Sequence, residues 1–168
     1  MGDWFPKYTL GSLPERAACR WGGREALAFQ GQRWSFTEIS TSVDRLARGL
    51  MGLGVAPGEK VALWMVNRPE FIEAMFAVLK VGAVLVPVNT RFRTDDVAYV
   101  LGQSDATTLI IAERSGPVDY LGMVRELVSV DAPAASRLPG LQRIVQQNLF
   151  APDLDQQGWQ VSQVGVER

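Results

Sequence analysis

The stretch Val61–Asn89, VALWMVNRPEFIEAMFAVLKVGAVLVPVN, decides the fold. It opens on the apolar run Val61 to Val66, too short for a buried helix and suited to a strand covered on both faces. Asn67-Arg68-Pro69-Glu70 follows. Pro69 fits a first helical position, where its missing N–H costs nothing, and Asn67 or Arg68 precedes it as the cap. Phe71, Ile72, Met75, Phe76 and Leu79 then recur at i, i+1, i+4, i+5 and i+8, which draws one apolar stripe along a helix. Gly82 can end that helix in a left-handed conformation, and Ala83 to Val88 is a second apolar run, closed by Pro87. Strand, crossover helix and strand together predict two parallel strands joined by a right-handed connection.

Working outward, Leu10 to Trp21 has helical spacing, with Thr9 or Ser12 as caps, Pro14 confined to the first turn and Gly22-Gly23 as the stop. Ala26 to Phe36 reads as two short strands around a tight Gln30-Gly31 turn. Ser35 followed by Glu38 is a capping-box pattern. The helix it announces carries Phe36, Ile39, Val43, Leu46, Ala47 and Leu50 on one face and ends at Gly52 or Gly54.

Downstream, Thr94 is placed to cap a short helix with Val97, Val100 and Leu101 inward and Gly102 as its stop. Thr108 to Ala112 is a third buried strand, and Pro117 begins a further helix with Tyr120, Leu121, Val124, Leu127 and Val128 inward. Asp131 to Gly140 reads as loop, and Leu141 to Val145 as a weaker strand. The expected fold is α/β: a parallel sheet flanked by helices, with an N-terminal helix and β-hairpin. Residues 1–148 are expected to form this α/β unit and 149–168 an irregular tail.

Composition narrows the chemistry. Of 168 residues, 47% are hydrophobic, enough for a real core, and 17 basic residues nearly balance 18 acidic ones. That balance, without a block of like charge, gives no support for nucleic acid or an anionic membrane as partner. With no histidine and the single cysteine Cys19, Ser-His-Asp, Cys-His and thiolate or His metal sites are excluded, so no metal site is expected. No disulfide framework exists, no apolar run approaches the ~20 residues of a membrane span, and a cytoplasmic setting is expected.

Candidate residues weigh mostly towards structure. Asp95-Asp96 suggests a metal or acid–base pair, but adjacent helical residues point about 100° apart and acids at a helix start are routine dipole partners. Arg91 and Arg93 around Phe92 could hold a phosphate and by default form a solvated loop face. Lys80, near a helix end, reads as a dipole partner rather than a base. Trp4, Trp21, Trp34, Trp64 and Trp159 are scattered, as packing residues are. No Gly-rich phosphate loop follows a strand, which argues against an independent nucleotide-binding domain.

A resemblance adds to this. RWSFTEI followed by a helix, and LKVGAVLVPVN, resemble the first two core motifs of adenylate-forming enzymes. The run NRPEFIEAMFAVLKVGAVLVPVNTRFRTDDVAYVLGQSDATTLIIAE is similar to the amino-terminal region of acyl-CoA synthetases, above all fatty-acid and aryl-acid CoA ligases, in which N-x-R-[LF] follows the second motif. The similarity covers about Thr9 to Val145. It implies a partial N-terminal domain of the adenylate-forming fold. In such a parent enzyme a carboxylic acid, fatty or aryl, is adenylated by ATP with Mg2+ and the acyl group passes to coenzyme A.

The phosphate loop, adenine pocket and carboxyl-terminal lysine of that family have no counterpart in these residues. The resemblance therefore implies a fragment without catalytic residues or cofactor of its own, inactive alone, since adenylyl transfer depends on positioned donors and metal. It also implies that Arg91, matching the arginine of N-x-R-[LF], meets a phosphate of coenzyme A in a complete enzyme, a role that suits its planar fork of donors. The alternative is a non-catalytic remnant that associates with itself or a partner through exposed apolar surface.

Overall fold

The computed structural model describes residues 8–112, 114–128, 137–138 and 140–147, and the backbone of 159–163. In chain order, a 3-10 turn (Leu10–Ser12) leads into α1 (Leu13–Trp21), β1 (Glu25–Phe29), β2 (Gln32–Ser35), α2 (Phe36–Gly52), β3 (Lys60–Trp64), α3 (Pro69–Val81) and β4 (Val84–Pro87). Then come α4 (Thr94–Ser104), β5 (Thr108–Ala112), β6 (Arg114–Ser115), β7 (Val118–Asp119), α5 (Tyr120–Leu127), β8 (Arg143–Gln147) and β9 (Trp159–Gln163). The chain forms two compact units, Met1–Gly58 with Arg68–Val84, and Glu59–Asn67 with Leu85–Arg168.

The first unit is a helix cluster with a hairpin. β1 and β2 pair antiparallel through the expected Gln30-Gly31 turn, where both residues have positive φ (50° and 82°). The capping box forms: Ser35 Oγ accepts from the Glu38 N–H at 3.2 Å, and Glu38 Oε2 accepts from the Ser35 N–H at 2.7 Å. The Ser35 bonds hold the Glu38 carboxyl below the usual range. Ile39, Val43, Leu46, Ala47 and Leu50 are buried along α2, as their spacing predicts. α3 begins with Pro69 at its start and ends at Gly82 in the left-handed conformation (φ 83°).

The inward face of α3 differs from the predicted stripe. Glu73, Ala74, Ala77, Val78 and Val81 are buried, whereas Phe71, Ile72, Met75, Phe76 and Leu79 are half-buried. The helix is apolar nearly all round, so spacing alone does not choose a face. Its small residues let neighbouring backbone come close. At Gly11 in the 3-10 turn, an added Cβ would stand 2.5 Å from Leu79 O and 2.6 Å from Lys80 Cα. Gly11 and Pro14 are accordingly buried, while Leu10, Leu13 and Trp21 are exposed.

The second unit contains the sheet, in the order β4-β3-β5-β8-β9. β3 pairs parallel with β5, and β5 with β8. β5 is buried along its whole length, as is β3 after Lys60. At the amino ends of these strands Glu59 Oε1 accepts from Arg143 Nη1 and Thr107 Oγ1, and Arg143 Nη1 also donates to Thr108 Oγ1 at 3.1 Å. One core of this unit gathers Trp64, Val97, Leu101, Leu109, Ile111, Tyr120, Val124, Leu127 and Ile144.

Four boundaries move. α4 continues past Gly102 to Ser104, because Asp105 adopts the left-handed cap (φ 52°). It starts at Thr94 with Arg93 as the cap residue, and no side chain of that cap accepts a bond. α5 starts at Tyr120 rather than Pro117, since Gly116-Pro117 turns the β6-β7 hairpin and the Asp119 side chain accepts from the Gly122 N–H at 2.8 Å. β8 lies two residues later than Leu141–Val145. Within 149–168, expected as irregular, Trp159–Gln163 pairs antiparallel with β8. Its W-Q-V-S-Q alternation has the period of a strand. Most of the predicted 131–140 loop lies outside the described residues.

Candidate functional site

The segment Asn89–Arg93 follows β4 at the end of the sheet where β3 also ends, with Trp64 as the last residue of β3. Carboxyl ends of parallel strands are where open α/β sheets bind ligands. Every carbonyl oxygen from Asn89 to Phe92 accepts a hydrogen bond. Asn89 O accepts from Trp64 Nε1 at 3.2 Å and from the Phe92 N–H at 3.1 Å. Thr90 O accepts from the Tyr120 hydroxyl at 3.4 Å. Arg91 O and Phe92 O each accept from Arg93 Nη1 at 3.0 Å. The Asn89 side chain closes the loop further, Oδ1 accepting from the Arg91 N–H at 2.9 Å.

The donors are themselves held. Trp64 is fully buried and meets Tyr120 edge-on, with ring centroids 4.7 Å apart at 65°. Burial raises the Tyr120 phenol above its ordinary pKa, opposed in part by Arg93, so the hydroxyl stays a donor at neutral pH. Phe92 packs against the same core. Arg91 is exposed, and among the described residues its guanidinium makes no hydrogen bond or ion pair.

The two arginines read together in the sequence are therefore different. Arg93 is spent on its own loop, whereas Arg91 is exposed and has no partner among the described residues. Asp95 and Asp96 also part company: Asp96 Oδ2 accepts from the Arg93 N–H at 3.1 Å, and Asp95 pairs with Arg137 at 2.8 Å. They are a cap and a surface ion pair, as the structural reading holds. In the first unit Lys80 lies in the last turn of α3, as a dipole partner does, and is also ion-paired. Its ammonium bonds Asp44 of α2 and Glu15 of α1, and the Asp44 bond first of all raises its pKa. Cys19 is exposed. Trp21 packs on Phe36 with centroids 5.0 Å apart. The anchoring by Trp64 and Tyr120 has no local signature in the sequence beyond an aromatic N–H donor at the end of a buried strand.

A family model described as AMP-binding enzyme matches residues 14–163. The chain belongs to that family. It is 36% identical over 133 residues to the salicyl-AMP ligase / salicyl-S-ArCP synthetase of Mycobacterium tuberculosis, a match covering 76% of this chain and 23% of that protein. To the acyl-CoA ligase sidI of Aspergillus fumigatus it is 34% identical over 110 residues, covering 64% of this chain and 19% of the relative. Among solved structures, an anthranilate CoA ligase in complex with anthranoyl-AMP superposes with a TM-score of 0.72 and 25% identity, covering 84% of this chain and 25% of that one.

This AMP-binding family chain thus spans about a fifth to a quarter of the length of the proteins it matches. Its fold is that of the amino-terminal part of adenylate-forming ligases. Within that part, the Asn89–Arg93 loop carries Arg91, whose guanidinium has no hydrogen bond or ion pair among the described residues. No helix among the described residues is long and apolar enough to cross a membrane.

Proposed function

We propose that this chain is the amino-terminal portion of an ATP-dependent acid–CoA ligase, and that Arg91 meets a phosphate of coenzyme A. The observation that carries the reading is the Arg91 guanidinium, exposed and without a partner among the described residues, on a loop whose Asn89 to Phe92 carbonyls are all bonded. A guanidinium in that state offers a fork of donors to phosphate without first breaking an ion pair. The acid is aryl or fatty, by kinship with the ligases above. Adenylation with ATP and Mg2+ belongs to the remaining length of such an enzyme, so this chain alone is inactive, and its setting is the cytoplasm.

Two measurements test this. Purified chain given ATP, Mg2+ and a panel of aryl and fatty acids is expected to show no acid-dependent ATP–pyrophosphate exchange. Exchange by uncontaminated protein would overturn the assignment of adenylation elsewhere. Titration with coenzyme A, followed by the backbone amide signals of residues 90–93, is expected to saturate, and Arg91→Ala to abolish the response.

A second reading, self-association through apolar surface, is favoured by the exposure of Leu10 (62%), Met51 (62%), Tyr99 (68%) and the β4 residue Val84 (48%). β4 is also an edge of the sheet, with backbone groups open to another strand. Sedimentation velocity with a hydrophobic dye checks it. A sharp monomer that binds no dye would exclude this second reading.

A further inference from the structure

We infer that Trp64 and Tyr120 are positioning residues for Arg91, acting through the backbone carbonyls of Asn89 and Thr90; the inference rests on the reading of Arg91 as a phosphate contact. The argument begins with the side of the loop that an anion would meet. A carbonyl oxygen is a partial negative charge, and one left free beside Arg91 would either repel a phosphate or capture the guanidinium. In Asn89–Phe92 each carbonyl is already bonded, two of them by donors from outside the loop, Trp64 Nε1 and the Tyr120 hydroxyl.

Both donors come from rigid places. Trp64 ends a buried strand and is fully buried, and Tyr120 opens α5 with 2% of its surface exposed. Their rings lock each other edge-on. The loop is thus fastened at its first two carbonyls by buried aromatics and at its last two by Arg93, and Arg91 is the residue between them whose side chain is left over. A ligand-binding side chain held in this way loses less conformational freedom on binding. The Trp64 bond at 3.2 Å carries more of this than the Tyr120 bond at 3.4 Å, because hydrogen bonds weaken with length.

The test uses the whole chain and coenzyme A as probe, with inorganic pyrophosphate as a second probe, at constant ionic strength. Binding is read from the Arg91 side-chain and the 90–93 amide signals, alongside amide hydrogen exchange of the same loop. Tyr120→Phe keeps the ring and removes only its donor, whereas Trp64→Phe removes the donor together with part of a buried ring. Each is expected to weaken binding about two- to tenfold, the worth of one neutral hydrogen bond, and to speed exchange in the loop. Ile110→Val, a change in the fully buried centre of β5, is the control: it lowers stability and leaves the titration unchanged.

If Trp64→Phe does not fold, Tyr120→Phe carries the test. Wild-type binding abolished by Arg91→Ala but untouched by both aromatic variants would overturn the positioning role and leave the phosphate contact standing. A titration that Arg91→Ala does not change would overturn the contact and the inference together.

Discussion

Glu59 and Arg143, 84 residues apart in sequence, form an ion pair at the amino ends of β3 and β8, with β5 between them. Their side chains are only 15% and 16% exposed, and Thr107 and Thr108 of the intervening strand bond the same two groups. The pair therefore ties together the ends of three strands in one register.

Removing one member takes an opposite charge away from a group that is largely shielded from water. Arg143→Met is expected to lower unfolding free energy by about 3 kcal/mol, read by urea denaturation. The double variant with Glu59→Gln should recover part of that loss. A single substitution costing under about 0.5 kcal/mol would show that the pair behaves as a surface contact.

Gly11→Ala puts a methyl into backbone atoms of α3 at 2.5 and 2.6 Å, and backbone has little room to move. A loss of about 1–3 kcal/mol is expected. Gly49→Ala, in the last turn of α2 with nothing within 4 Å of the new methyl, should do the opposite and stabilise by about 0.5–1 kcal/mol. Thermal melts of the two variants should move in opposite directions.

Glu73 predicts a pH dependence. Burial first, and then the Glu70 charge, pushes its carboxyl up to about 7, against the Ser42 hydrogen bond and Arg45, which pull it down. The folded pKa is above the unfolded one, so the protonated form favours folding. That stability is fully present below the ordinary pKa of 4.5 and is lost as pH rises through about 7. On the order of 3 kcal/mol is at stake, and Glu73→Gln, which keeps a neutral partner for Ser42, should flatten the profile between those values. Equal pH slopes for variant and wild type in denaturant titrations would count against it.

Ser35→Ala removes the acceptor for the Glu38 N–H at the start of α2. A loss of about 1 kcal/mol is expected, with helix content falling first at the amino end, measured by hydrogen exchange.

The sequence by itself determined the main helices, which strands are buried and which family the chain resembles. Those properties are written in neighbours: the Val61–Val66 run, the Ser35-x-x-Glu38 box, Pro69 and Gly82 around one helix, the N-x-R-F loop. Each signal is local, and the physics that reads it, hydrophobic period or cap chemistry, acts within a few residues. Only the tertiary structure decided which side of α3 goes inward, because a helix apolar nearly all round offers more than one face. It alone joined Glu59 to Arg143 and Trp64 to Asn89, since such pairs are set by strand order and register, which no local period encodes. The division between Arg91 and Arg93 has the same cause: two like side chains in one loop were separated by which carbonyls lay within reach of each.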